Sequence, residues 1–140
     1  MTYLDTSVLT AYYCPEPRSP AVQRTLSRVQ SPTISPLVEV ELCCAIARKA
    51  RAGEIQAADA RRIVALFQLH MVESRFAVVP IQAAEYGLAR DWITQFASPL
   101  RVLDALHMAV AFSHGMRLLT ADRDLARSAQ HFGVKNRLIP

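Results

Sequence analysis

The chain has little glycine and no repeated or low-complexity segment. Only 4 of its 140 residues are glycine, whereas apolar residues make up 51% and charged residues 20%. This composition excludes fibrous and disordered classes and is typical of a compact, helix-rich protein. A length of 140 residues supports one hydrophobic core but not two, so we predict a single domain over residues 1–140.

Cysteine is also scarce, and the cysteines do not have the spacing of metal ligands. Cys14, Cys43 and Cys44 are an odd number, and the adjacent pair lies within a helical pattern. We therefore predict buried thiols in a reducing compartment rather than disulfides or a zinc site.

No segment has the pattern of a signal peptide or a membrane span. The longest nearly apolar run, residues 105–112, is far shorter than the roughly 20 residues that cross a bilayer. We expect a cytoplasmic protein without membrane contact. The net charge of +4 is compatible with a polyanionic partner, but it is weak evidence by itself because many basic proteins bind no nucleic acid.

Short apolar segments alternate with helical patterns along the chain. Serine–proline pairs at Ser19-Pro20 and Ser35-Pro36 predict helix N-caps followed by proline in the first turn. Gly53, Gly115 and Gly133 predict helix ends. The predicted strands are 2–4, 33–34, 77–79, 117–120 and, as a fifth, 137–139; the predicted helices are about 5–13, 19–29, 35–51, 57–73, 82–96, 101–114 and 122–132.

This alternation predicts an α/β fold with a central parallel sheet of four to five short strands and helices on both faces. In such sheets ligands bind beyond the carboxyl ends of the strands. The residues that follow each strand are therefore the ones to inspect for function.

Four acidic residues are placed by this topology at one edge of the sheet. Asp5 follows the first strand and Asp122 follows the fourth, whereas Glu41 lies one to two turns into the helix after the second strand. Asp104 lies in the first turn of the apolar helix before the fourth strand. Converging carboxylates repel one another, so such a cluster either raises its pKa values or binds a cation.

A cluster of oxygen ligands without cysteine or a histidine pair favours Mg²⁺ or Mn²⁺ over zinc. An ion held in this way activates water, orients phosphate and supports phosphodiester hydrolysis without a protein nucleophile. A phosphatase with Asp5 as nucleophile is disfavoured because Asp5-Thr6-Ser7 lacks a second acid two residues on.

Each acid also has a purely structural interpretation. Asp5 and Asp122 fit helix caps, with Asp124 an alternative to Asp122, and Glu41 fits a solvated helix position. Asp104 is harder to explain structurally, because isolated acids are rarely buried among apolar residues. His107, one turn later, is interpreted as a packed histidine bonded to backbone, with a catalytic role as the alternative.

Four sequence blocks resemble the PIN-domain family, and within it the VapC-type toxins of bacterial toxin–antitoxin pairs. Each block alone is weak, but the ordered set is fairly specific and spans nearly the whole chain. The blocks are Tyr3-Leu4-Asp5-Thr6-Ser7-Val8-Leu9, Ser35-Pro36-Leu37-Val38-Glu39-Val40-Glu41-Leu42, Leu103-Asp104-Ala105-Leu106-His107-Met108-Ala109 and Leu118-Leu119-Thr120-Ala121-Asp122.

The resemblance implies a three-layer α/β fold and an acidic pocket that binds Mg²⁺ or Mn²⁺ and cleaves single-stranded RNA. It also implies a homodimer and inhibition by a cognate antitoxin. The family's fourth acid varies in placement, so Asp124 remains an alternative to Asp122. By matching position, Asp5, Glu41, Asp104 and Asp122 would be the catalytic acids, with Asp5 and Asp104 as metal ligands and Thr6, Ser7 and Thr120 as supporting hydroxyls.

Basic residues Arg48, Lys49 and Arg51 cluster at the end of one predicted helix. They fit a solvated helix end, where cations are favourable, or a rim that contacts RNA phosphates without reading sequence.

The leading hypothesis is a metal-dependent endoribonuclease. A DNA or structure-specific nuclease on the same scaffold remains open because it needs the same carboxylates. A non-catalytic interaction module is the third possibility, although the presence of all four acids argues against it.

Overall fold

A central sheet of five short strands organises the protein. The computed structural model describes residues 1–140 and orders the strands β3-β2-β1-β4-β5, with every neighbouring pair parallel. The strands are β1 (Thr2–Leu4), β2 (Pro32–Ile34), β3 (Ala77–Val78), β4 (Arg117–Thr120) and β5 (Asn136–Leu138). The predicted parallel α/β sheet is confirmed, including its fifth strand.

Seven helices connect and cover the strands. They are α1 (Thr6–Tyr13), α2 (Ser19–Leu26), α3 (Pro36–Arg51), α4 (Ala57–Val72), α5 (Ala83–Ile93), α6 (Val102–Ser113) and α7 (Arg123–His131). Helices α2 and α5 are each three residues shorter at their C-terminal ends than predicted. Helix α5 ends early because the chain turns through Phe96, whose φ of 55° lies in the left-handed region. No helix combines the length and hydropathy that a bilayer crossing requires.

Both faces of the sheet are buried. Tyr3 and Leu4 are consecutive strand residues and therefore point to opposite faces, yet neither is exposed to solvent. Helices α1 to α4 pack on one another, and α5 packs on α6, which lies against β1 and β4. This arrangement is the predicted sheet with helices on both faces, and it directs the carboxyl ends of the strands toward one edge.

The two predicted serine caps have different outcomes. Ser19 is not a cap, because Arg18 precedes the helix and the Ser19 hydroxyl donates instead to the Ala11 carbonyl at 2.5 Å. Ser35 is the N-cap residue of α3 and Pro36 begins the helix, as predicted, but the Ser35 hydroxyl lies 2.7 Å from the Tyr3 hydroxyl and makes no cap bond. In both cases a partner from another element takes the serine side chain.

The prediction of three buried thiols is correct only for Cys14. Cys43 and Cys44 are exposed, although Leu42 and Ile46 of the same helix are buried. At 3.6 residues per turn, the two cysteines lie outside the stripe of α3 that faces the sheet.

Candidate active site

A cavity of about 690 Å³ lies where β1, β4 and β5 end. Five side-chain carboxylates and four guanidinium groups line it. The acids are Asp5, Glu16, Glu41, Asp104 and Asp122, and the arginines are Arg18, Arg48, Arg101 and Arg123. The structure therefore brings all four sequence-predicted acids together at one edge of the sheet.

Asp5 is a buried carboxylate without a cationic partner. One oxygen accepts hydrogen bonds from Ser7 Oγ at 2.7 Å and the Val8 amide at 3.2 Å, and the other accepts from Thr120 Oγ1 at 2.7 Å. Burial raises the pKa of Asp5, against the opposing charge of His107 and the hydroxyl hydrogen bonds. The side chain thus caps α1, as the structural interpretation held, and also holds a charge that its neutral partners do not balance.

Glu41 is held from two sides through the same oxygen. Oε1 accepts a hydrogen bond from Thr6 Oγ1 at 2.8 Å and lies 2.5 Å from His107 Nε2. Burial works to raise the pKa of Glu41, but the hydrogen bond and charge of His107 outweigh it, and the pKa is lowered. The solvated-helix interpretation of Glu41 is therefore wrong, because this side chain is half-buried and fixed.

Asp104 and Asp122 share one arginine. Arg101 donates from Nε to Asp104 at 2.9 Å and from Nη2 to Asp122 at 3.4 Å. Burial raises the pKa of Asp104, while the Arg101 hydrogen bond and charge oppose that rise. Asp122 also caps α7 by accepting the amide hydrogens of Asp124 and Leu125. The guanidinium of Arg101 serves as the cation for these two carboxylates.

The predicted hydroxyl residues all contact the acids. Thr6 bonds Glu41, whereas Ser7 and Thr120 bond Asp5 and lie 3.4 Å from each other. Ser7 also accepts the Ala121 amide hydrogen at 2.9 Å, which ties α1 to the end of β4. These hydroxyls fix the direction of the carboxylates.

The side chains that line the cavity include oxygen donors for a divalent ion. The carboxylate oxygens of Asp5, Asp104 and Asp122 suit Mg²⁺ or Mn²⁺, and the buried, cation-free carboxylate of Asp5 favours a positive ligand. No three acidic, histidine or cysteine side chains already converge in a metal-binding arrangement. The chemistry of the site therefore fits a hard ion, although Arg101 occupies one oxygen of Asp104 and one of Asp122.

Some predicted residues lie outside the cavity. Asp124 is exposed and pairs with Arg127 at 3.5 Å, so Asp122 and not Asp124 lines the cavity. Of the three predicted phosphate contacts, only Arg48 lines it. Lys49 is paired with Glu16 at 3.4 Å and Glu54 at 3.1 Å, and Arg51 is exposed at the end of α3.

Several cavity residues were not predicted from the sequence. Arg18, Arg101 and Arg123 reach the cavity from three separate loops or helix starts, and Arg18 donates to the Ala121 carbonyl. The spacing of three between Arg101 and Asp104 could have indicated their ion pair. His107 was expected to bond backbone, but both of its ring nitrogens contact side chains instead. No local pattern marks that choice of partner.

A parallel sheet covered by helices, with a cavity beyond its carboxyl edge, defines the class of α/β proteins that bind ligands at the ends of their strands. The sequence narrows the class further, since the family model of the PIN domain matches residues 2–130. The chain belongs to the PIN domain family. No curated protein sequence is similar enough to match it.

Solved structures share the fold at low sequence identity. FitAcB from Neisseria gonorrhoeae is 19% identical with a TM-score of 0.72, over 97% of this chain and 96% of that one. VapC20 from Mycobacterium tuberculosis, a toxin that cleaves the sarcin–ricin loop, is 19% identical with a TM-score of 0.71, over 91% and 95%. A toxin–antitoxin complex from Klebsiella pneumoniae is 18% identical with a TM-score of 0.63, over 90% and 91%. At these identities the likeness supports the fold.

Proposed function

We propose that the protein is a metal-dependent endoribonuclease toxin of a toxin–antitoxin pair that acts in the cytoplasm. The observation that carries the proposal is the meeting of Asp5, Glu41, Asp104 and Asp122 in one cavity, with Asp5 buried and without a cation. The PIN family is a family of nucleases, which supports hydrolysis of nucleic acid.

In this proposal Asp5 and Asp104 hold Mg²⁺ or Mn²⁺. The bound ion would supply an activated water and would neutralise charge on the phosphate. Glu41, whose Oε1 is already fixed by Thr6 and His107, orients that water, and Asp122 completes the opposite side of the site. Ser7 and Thr120 keep the Asp5 oxygens in place.

The arginines of the rim are proposed to contact the RNA backbone. Arg18, Arg48, Arg101 and Arg123 surround the acids, and a guanidinium binds phosphate oxygens through paired hydrogen bonds. Such contacts position a strand without reading its bases. We propose RNA rather than DNA as the substrate, because one structural relative is a toxin that cleaves the sarcin–ricin loop.

We propose a cognate antitoxin as the protein partner, and a homodimer as the working assembly. Structural relatives include a toxin–antitoxin complex. The exposed apolar side chains Leu66, Leu69 and Val72 recur every three residues along α4, and their exposure favours coverage by a partner. Light scattering on the purified protein, alone and with the product of any adjacent antitoxin gene, measures both associations.

The decisive test compares matched RNA and DNA oligonucleotides. Asp5→Asn removes the unpaired charge but keeps the size of the side chain, and Asp124→Asn is the matched control because Asp124 lies outside the cavity. We expect RNA to be cleaved with Mg²⁺ but not with EDTA. We further expect no cleavage by Asp5→Asn and unchanged cleavage by Asp124→Asn.

Two results would contradict this proposal. Full activity of Asp5→Asn would separate the acidic cavity from the chemistry. Cleavage of DNA in preference to RNA would favour the alternative of a DNA nuclease on the same scaffold.

A further inference from the structure

Four side chains, from β1, α3, α6 and the residue that joins β2 to α3, form a continuous hydrogen-bonded chain that ends at Glu41. The Ser35 and Tyr3 hydroxyls lie 2.7 Å apart, Tyr3 Oη lies 2.9 Å from His107 Nδ1, and His107 Nε2 lies 2.5 Å from Glu41 Oε1. Tyr3 and Ser35 have no solvent exposure, and the His107 side chain is 3% exposed. The chain is therefore shielded from water until it reaches the cavity.

The partners of His107 determine where its protons lie. An ionised glutamate only accepts hydrogen bonds, so the contact with Glu41 requires a proton on Nε2. Tyr3 can either donate to Nδ1 or accept from it, since the Ser35 hydroxyl can take the complementary role. Burial raises the pKa of Tyr3, which keeps the phenol protonated in both arrangements. Nε2–H directed at Glu41 is common to both.

The contact leaves one carboxylate oxygen of Glu41 without a protein partner. Thr6 and His107 both bond Oε1, and no protein donor reaches Oε2. A long glutamate side chain without partners samples several rotamers in a cavity. The two hydrogen bonds to Oε1 restrict Glu41 to one orientation. Glu41 thus offers Oε2 in a fixed direction.

We propose that His107 is a positioning residue that holds Glu41 for water orientation, with Tyr3 and Ser35 fixing the imidazole ring. This inference rests on the proposed nuclease function and adds to it a residue that acts through Glu41. His107 does not itself touch the reacting atoms.

The protein contains a matched histidine for comparison. His70 is also buried and also contacts a tyrosine through Nδ1, at 2.6 Å from Tyr13 Oη. It has no carboxylate partner, and it lines a different cavity with Tyr12 and Arg75. Substitutions of His70 therefore reproduce the packing loss of a buried histidine without affecting Glu41.

The kinetic experiment uses leucine and glutamine at both histidines in the purified full-length protein. We expect His107→Leu to lower kcat for RNA cleavage by about tenfold or more, in line with losses of partners that orient active-site ligands. His107→Gln restores part of kcat because its amide can donate to Glu41, and KM stays within about twofold in both variants. His70→Leu and His70→Gln keep the wild-type kcat.

The proposal would be overturned if variants of His107 and His70 lost kcat in proportion to their loss of melting temperature, because packing alone would then explain both losses. Equal activity of His107→Leu and wild type would also overturn it.

A nuclear magnetic resonance measurement tests the geometry without any activity. Long-range ¹H–¹⁵N correlations of the wild-type protein, assigned with His107→Gln, report which ring nitrogen carries a proton. We expect a protonated Nε2 at His107. An unprotonated Nε2 would overturn the proposal even in an active nuclease, whereas an inactive wild-type protein with a protonated Nε2 would reject the nuclease function alone.

Discussion

At the scale of single residues, the buried charge of Asp5 suits the binding of a cation but lowers the stability of the fold. Its carboxylate caps α1 and accepts two hydroxyl hydrogen bonds, yet it is 3% exposed and has no salt-bridge partner. Burial of an ionised group is unfavourable unless a cation compensates it. A residue in this position is explained by ligand binding better than by folding, since an uncharged cap would stabilise the helix without that penalty.

Asp5→Asn is therefore expected to stabilise the metal-free protein. Asparagine is an equally good N-cap and removes the buried charge, so we expect the free energy of unfolding to rise by about 1 kcal/mol. Thermal or urea unfolding in EDTA measures the change. Destabilisation by Asp5→Asn would indicate that the charge is compensated in a way that the contacts of Asp5 do not reveal.

The stabilisation by Asp5→Asn should depend on pH. Because burial raises the folded-state pKa of Asp5, the ionised form is unfavourable above that pKa and the penalty disappears as the carboxyl is protonated. The difference in melting temperature between variant and wild type should thus be largest near neutral pH and shrink toward about pH 4, the range of an ordinary carboxyl. A difference that stays constant over this range would contradict the assigned pKa direction.

At the scale of elements, glycine positions decide where helices end. Gly115 follows α6 with a φ of 63°, a left-handed conformation that lets the chain turn into β4 and so sets the position of Thr120. Gly87 lies inside α5 and has no positive φ. The two glycines therefore respond in opposite directions to the same substitution.

We expect Gly115→Ala to lower the free energy of unfolding by about 1 kcal/mol, because alanine is strained at positive φ. Gly87→Ala should instead raise it by about 0.5 kcal/mol, because alanine loses less backbone entropy in a helix and its Cβ meets only ordinary contacts. Urea denaturation of both variants checks the signs. Destabilisation by both would show that the packing of α5 and α6 dominates over local conformation.

The elements were predictable where local chemistry determines them. Strand residues Leu4 and Leu119 are apolar and buried, and Asp122 caps α7 as its place before the helix indicates. The prediction of a cap at Ser19 was wrong, and Ser35 is the N-cap of α3 without a side-chain cap bond, because distant groups bond both hydroxyls. The start of a helix depends on residues nearby in sequence, whereas the hydrogen-bond partner of a side chain depends on which elements pack against it.

At the scale of the whole molecule, the cavity is made from segments far apart in sequence. The parallel topology predicts that the acids meet at one edge, since it fixes which strand ends are neighbours. It does not predict that Arg101 bridges Asp104 and Asp122, or that His107 joins Tyr3 to Glu41. Those contacts depend on helix rotation and rotamers, which pattern and spacing do not specify.

The two exposed cysteines of α3 can report whether RNA binds at the cavity. Cys44 lines it and the adjacent Cys43 does not. We expect single-stranded RNA, added in EDTA to prevent cleavage, to slow alkylation of Cys44 several-fold and to leave Cys43 unchanged, because a bound strand covers the cavity mouth. Mass spectrometry of iodoacetamide-treated protein distinguishes the two thiols in Cys43→Ser and Cys44→Ser backgrounds. Equal rates with and without RNA at Cys44 would place the RNA elsewhere.

Binding of Mn²⁺ to the metal-free protein tests most directly whether the gathered acids form a cation site. Titration calorimetry measures this binding without RNA or activity. We predict binding by wild type and by Asp124→Asn, and at least about tenfold weaker binding by Asp5→Asn and Asp104→Asn, which lose a proposed ligand. Absence of binding at millimolar Mn²⁺, or equal affinity in all four proteins, would contradict a metal site built from these carboxylates.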